Sequence, residues 1–171
     1  MVRLILISAI LALVIGIGVA QWTTRETEST VMSISLPDVS GDQRDLSEWT
    51  GRPLMVNFWA TWCPPCLEEI PLLAAAQDTY GDQGLQIIGI ALDDGDEVRR
   101  FGDEVGINYP SLLAPDSGLE LMERFGNRGS LPFSVLVDRY GRVQTTKLGA
   151  YTETELEGAL ETLLQGPATD Q

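Results

Sequence analysis

Leu54-Met55-Val56-Asn57-Phe58-Trp59-Ala60-Thr61-Trp62-Cys63-Pro64-Pro65-Cys66 is the stretch that decides the fold. Its first six residues form a short, nearly continuous apolar run, the pattern of a central strand buried on both faces. A helical pattern follows from about Cys63 to Tyr80, so both cysteines of the chain sit where a buried strand meets a helix. With Cys63 at the helix N-cap, Cys66 falls at N3, close enough to open or close a disulfide with little backbone movement. The N-cap gathers unpaired N–H groups and the positive end of the helix dipole, which lowers a thiol pKa from about 8.5. Pro64 and Pro65 have no N–H, so main-chain donation to a Cys63 thiolate begins at Cys66, and no His or Lys lies between the cysteines. These features predict a moderately acidic nucleophile at Cys63 and a sheltered resolving thiol at Cys66. The couple should be reducing, nearer about −270 mV than about −120 mV. Trp59 and Trp62 both suit a core, but Trp62 directly precedes the nucleophile and is read as a partly exposed platform beside it.

Outward from this stretch, strand and helix signals alternate. Gln86 to Leu92 reads as a second buried strand. Asp94 can cap a helix with Val98, Phe101 and Val105 on one side and Gly106 at its end. Ser117-Gly118-Leu119-Glu120 has the capping-box pattern and opens a short helix carrying Met122 and Phe125. Phe133 to Val137 is a third strand, followed by a turn over 138–142 and an edge strand from Val143 to Leu148. Thr152 and Glu155 form a second capping box, and Leu156, Ala159, Leu160, Leu163 and Leu164 fill one stripe of the last helix before Gly166-Pro167. This order predicts an α/β fold, a three-layer sandwich around a mixed sheet. Its active groups should lie where strand ends meet helix starts.

Composition narrows the function. The chain has 171 residues, enough for one domain plus extras. Its net charge of −14 makes nucleic acid an unsuitable partner. With no histidine, the chain lacks imidazole metal ligands and the Ser-His and Cys-His couples. Two cysteines cannot staple a small scaffold.

At the amino end, Arg3 precedes an uncharged run from Leu4 to Ala20. Residues 1–20 read as an N-terminal membrane anchor with the rest of the chain outside, or as a signal peptide cleaved after Gly18-Val19-Ala20. Residues 21–35 read as a polar tether, 36–165 as the folded domain and 166–171 as a flexible tail. A monomer is expected.

The string from Val56 to Pro71, Val-Asn-Phe-Trp-Ala-Thr-Trp-Cys-Pro-Pro-Cys-Leu-Glu-Glu-Ile-Pro, resembles the active-site signature of the TlpA/ResA-like membrane-anchored thioredoxins. Leu131-Pro132-Phe133-Ser134-Val135-Leu136-Val137-Asp138 resembles their second signature, and Leu36-Pro37-Asp38 and Gly51-Arg52-Pro53 their lead-in. The resemblance covers about Leu36 to Leu164. It implies a thioredoxin fold with an inserted strand-helix segment at roughly 85–115, and thiol-disulfide exchange outside the cytoplasm. It makes Pro132 a cis-proline beside the cysteines, with Leu131 offering its backbone to a substrate strand, and Trp62, Pro64 and Pro65 bordering the same substrate site. It makes Glu69 the acid that takes the proton of Cys66. The i+3 spacing independently puts Glu69 on the helix face of Cys66. Thioredoxins proper carry an aspartate where this chain has Asn57, an amide that cannot accept a proton. The implied substrates are protein disulfides such as apocytochrome c haem-site cysteines, with electrons from a membrane thiol reductant.

Other readings of the cysteine pair are weaker. Structural zinc requires four ligands, and no third cysteine and no histidine exists, so no metal is expected. The Cys63–Cys66 disulfide itself is the expected redox centre, with no separate cofactor. Two thiolates could instead hold Cu(I), the main alternative function. A thiol peroxidase would require a cation near its sulfur, and no basic residue lies between Arg52 and Arg99.

Overall fold

Strand β3, Leu54–Trp59, is buried along its whole length, as a central strand must be. The computed structural model of the chain describes residues 31–166. β3 pairs in parallel with β4, Gln86–Ala91, and antiparallel with β6, Phe133–Val137. Outside these lie β5, Ser111–Leu113, parallel to β4, and β7, Val143–Leu148, antiparallel to β6. The mixed five-stranded order is therefore β5-β4-β3-β6-β7. A separate hairpin precedes it, with β1 at Ser35–Pro37 and β2 at Gln43–Asp45. An isolated bridge from Asp38 to Leu112 ties that hairpin to the β5 edge.

The strict alternation of side chains across the sheet sorts the core into two faces. Leu54, Val56 and Phe58 of β3 pack with Ile88, Ile90, Val135 and Val137. That face is covered by the hairpin, a 3-10 turn over Leu46–Trp49, and the short helix α3, Gly118–Glu123. On the other face, Met55 meets Leu73 and Ala76 of α1, Pro64–Tyr80, and Leu156, Leu160 and Leu163 of α4, Glu153–Gln165. Trp59 meets Ile70 of α1 and Val98 of α2, Gly95–Val105. The result is the expected three-layer α/β sandwich of thioredoxin type.

Most expected elements stand where the sequence puts them. Asp94 caps α2 by accepting from Asp96 N, and Gly106 ends it at φ 74°. Thr152 and Glu155 close a reciprocal capping box on α4. Several details differ. The hairpin, the 3-10 turn and β5 are additional elements, so residues 85–115 form a strand-helix-strand segment whose first strand joins the sheet centre. Ser117 makes no side-chain cap, because its backbone is helical, φ −100° and ψ −11°, rather than extended. Phe125 lies beyond α3, and Val105 at the end of α2 is exposed. Val31 and Ile34 are buried in the core, so folded structure is already present upstream of Leu36, within the stretch read as tether. The apolar run Leu4–Ala20 and the tail from Pro167 onward lie outside the described residues.

Candidate active site

The β3–α1 junction carries the cysteines. Cys63 is the N-cap of α1 in extended conformation (φ −102°, ψ 98°), and Pro64 and Pro65 fill the first two helical positions. The fixed φ of proline suits that turn. Cys63 and Cys66 are joined as a disulfide with Cα atoms 5.3 Å apart. Cys66 is fully buried and Cys63 slightly exposed, at 5%. Cys66 N donates to the carbonyl of Cys63 at 3.0 Å, and Leu67 N reaches the same oxygen at 3.2 Å. The first amides of the helix are thus already used by the Cys63 backbone in the oxidised state. No charged side chain occupies the first turn, so the Cys63 sulfur faces the helix dipole without a local cation.

One turn further into α1, Glu69 is buried at 1% exposure. Its Oε1 accepts from Tyr151 N at 2.8 Å, and its Oε2 accepts from Asn57 Nδ2 at 3.1 Å. Asn57 Nδ2 also donates to Ser134 Oγ at 3.0 Å. Burial pushes the Glu69 carboxyl above the usual carboxylate range, partly offset by the Tyr151 and Asn57 hydrogen bonds and the Lys147 charge. The same seclusion acts on its neighbours. Burial, with a smaller contribution from the Glu69 charge, raises the phenol of Tyr109, and burial with the Glu69 and Glu155 charges pushes Tyr151 up to about 12. Burial thus makes this carboxyl easier to protonate than a free one, and Cys66 lies on the same face of α1.

The remaining predicted site residues fall into two groups. Trp62, 65% exposed, and the exposed Pro64 and Pro65 form the surface around Cys63. The Leu131–Pro132 peptide is cis, Pro132 is buried, and Leu131 packs against the cluster that contains Cys63 and Cys66. Pro132 O accepts from Gly149 N at 2.9 Å, which joins this loop to the end of β7. Trp59, in contrast to Trp62, is wholly core and meets Phe101 in a tilted ring contact, with ring centres 5.6 Å apart and planes at 45°.

Three contributors lie beyond what the sequence reading identifies. Ser134 and the backbone of Tyr151 complete the surroundings of Glu69. Asp93 Oδ2 accepts from both Thr61 N, at 3.1 Å, and Thr61 Oγ1. Ser134 is the more findable, as a polar residue inside the apolar run Phe133 to Val137. The Asp93 contact joins two loops far apart in sequence and leaves no local signal. Among the described residues, no group of three or more Cys, Asp or Glu is arranged to hold a metal.

A thioredoxin-type sheet with a C-x-x-C pair capping the helix after its central strand, and a cis-proline loop packed against that pair, defines a thiol-disulfide oxidoreductase. The Redoxin family profile matches residues 26–163, and the chain belongs to that family. It is similar to the thiol-disulfide oxidoreductase ResA of Geobacillus kaustophilus, 29% identical over 170 residues that span 94% of this chain and 96% of that protein. ResA of Halalkalibacterium halodurans is 32% identical over 127 residues, 74% of this chain and 70% of that one. A thiol:disulfide interchange protein of the thioredoxin family from Chlorobium tepidum superposes with a TM-score of 0.71 at 28% identity, covering 78% of this chain and 94% of that structure.

Proposed function

We propose that this thiol-disulfide oxidoreductase works outside the cytoplasm as a membrane-tethered reductant of protein disulfides. The Cys63 thiolate attacks one sulfur of a substrate disulfide, forming a mixed disulfide and releasing one substrate thiolate. Cys66 then passes its proton to Glu69 and attacks the Cys63 sulfur, expelling the second substrate thiolate. The substrate gains two electrons, and the Cys63–Cys66 disulfide is left behind. A membrane thiol reductant would restore the dithiol. Trp62, Pro64 and Pro65 would border the bound segment, and the Leu131 backbone beside Pro132 would pair with it. The observation that carries this reading is the asymmetry of the pair: Cys63 caps the helix with 5% of its surface open, beside the exposed Trp62, Pro64 and Pro65, while Cys66 is fully enclosed on the helix face of a buried carboxylate.

Resemblance to the ResA-like proteins supports disulfides of apocytochrome c as substrates and Leu4 to Ala20 as the anchor. The test is covalent trapping in a membrane extract. Cys66→Ser should capture substrate proteins as mixed disulfides and Cys63→Ser should not, while glutathione equilibration should give a potential nearer about −270 mV than about −120 mV. Capture by Cys63→Ser instead, or stoichiometric Cu(I) binding without reductase activity, would overturn the assignment.

A further inference from the structure

Asn57 lies on β3 directly opposite Ser134 on β6, and one end of its amide makes all its hydrogen bonds. Nδ2 donates to Glu69 Oε2 and to Ser134 Oγ, while Oδ1 is buried without a partner. An amide is two-sided in a way few side chains are, with one end a donor and the other an acceptor of nearly the same shape. The arrangement fits an ionised Glu69, whose Oε2 accepts from Nδ2. It does not fit a Glu69 that has taken a proton. Oε1 is held by the backbone N–H of Tyr151 at 2.8 Å, which leaves Oε2 to carry the proton, and an Oε2–H turned toward Asn57 would meet the Nδ2 hydrogens. A buried donor facing a donor loses its hydrogen bond and its solvation together. A half-turn of the Asn57 side-chain amide removes the conflict, and that torsion is soft. Oδ1 then accepts from Glu69 Oε2–H and from the Ser134 hydroxyl, which rotates freely to donate. The end pointing away lacks a partner in both orientations, a bare oxygen before the turn and two bare N–H groups after it, so the bond from protonated Glu69 has to outweigh that difference.

We propose that Asn57 is a positioning residue for the proton transfer, an amide that donates to Glu69 while it is a carboxylate and turns to accept from it once it holds the Cys66 proton. This rests on the proton-accepting role of Glu69 given above. The proton moves from Cys66 Sγ to Glu69 Oε2, and Asn57 and Ser134 only reorient, exchanging no proton or electron with either. The titratable and charged groups around Glu69 are Cys66 on its own helix, Tyr109 just before β5, Tyr151 just before α4, and Lys147 on β7. Both phenols are held neutral over the relevant range, and Lys147 is engaged with Glu155 at 3.2 Å. In the oxidised protein, where neither cysteine titrates, Glu69 is the group that changes charge.

The test uses the oxidised full chain, labelled with 13C and 15N, in detergent micelles. Glu69 13Cδ is titrated while nuclear Overhauser effects are followed from the Asn57 Nδ2 protons to the Glu69 γ-methylene. These effects should be present above the Glu69 midpoint and lost below it. Effects that persist unchanged through the midpoint would overturn the proposal. Asn57→Leu should raise the Glu69 midpoint by about one pH unit, because the bond to the charged form is the stronger of the two. An unmoved midpoint would count equally against it. Resolution of a mixed disulfide at an unchanged rate by Glu69→Gln would remove the catalytic role of Glu69 and leave the amide rotation, read in the oxidised protein, standing by itself.

Discussion

Thr61 gives both its backbone N–H, at 3.1 Å, and its hydroxyl to one carboxylate oxygen of Asp93. This clamp ties the turn leading into Cys63 to the loop that follows β4, at the end of the sheet where both chains leave it. Asp93→Ala leaves two half-buried donors without their acceptor. It should cost about 1–3 kcal/mol in urea unfolding of the oxidised protein. Asp93→Asn keeps an acceptor oxygen and should cost clearly less. Equal losses in the two variants would mean that the carboxylate charge, not the hydrogen bonds, holds the turn.

The buried carboxyl of Glu69 also makes stability depend on pH. Burial raises its midpoint in the folded protein above that of the unfolded chain, where glutamate titrates near 4.3. Between the two midpoints the folded state holds the extra proton. Stability therefore falls as pH rises through that window, and the penalty is complete above the folded midpoint. Glu69→Gln has nothing to titrate there. The thermal midpoint of Glu69→Gln relative to the parent should rise with pH across this window and level off above it, read with the disulfide intact. A difference that stays constant with pH would show that desolvation does not govern this group.

Trp62 is the exposed indole beside the nucleophile, with 65% of its surface open, and it contributes little to the core. Trp62→Ala should leave stability within about 0.5 kcal/mol of the parent. Its effect should appear in exchange with protein disulfides, as a higher KM, and be much smaller with a minimal disulfide such as oxidised glutathione. Equal effects on large and small substrates would assign Trp62 to the chemistry of Cys63 instead of to docking.

How far the sequence foretells this arrangement depends on the range of the interactions. The C-x-x-C at a strand-helix junction, the caps of α2 and α4 and the buried strands β3, β4 and β6 are local patterns, and each is readable within a dozen residues. β1, β2 and β5 have three residues each, too short to show alternation, and Gln43-Arg44-Asp45 has no apolar residue to mark it. These strands exist because the hairpin covers a sheet face and β4 offers an edge, which are tertiary causes. The site divides similarly. Glu69 shares a helix face with Cys66 by spacing alone, but its enclosure depends on Asn57, Ser134 and Tyr151, brought in from three other segments.

Gly89 shows the same dependence on distant residues and gives the sharpest packing prediction. It pairs with Asn57 across β3 and β4, and an added Cβ would lie 2.9 Å from Trp59 Nε1 and 3.3 Å from Tyr109 Cε2. Both side chains are rigid aromatic rings buried in the core, so neither can swing away as a flexible chain would. Gly89→Ala should therefore destabilise the oxidised protein by about 1–3 kcal/mol despite the usual preference of alanine over glycine in a strand. The displacement would pass to Trp59, whose cluster includes both cysteines and Val98. The variant should accordingly shift the Trp59 fluorescence and alter the rate at which dithiothreitol opens the disulfide, together with the loss in urea unfolding. Unchanged stability would mean that the sheet can part locally at this register. In that case the glycine is not what lets Trp59 and Tyr109 close over the strand.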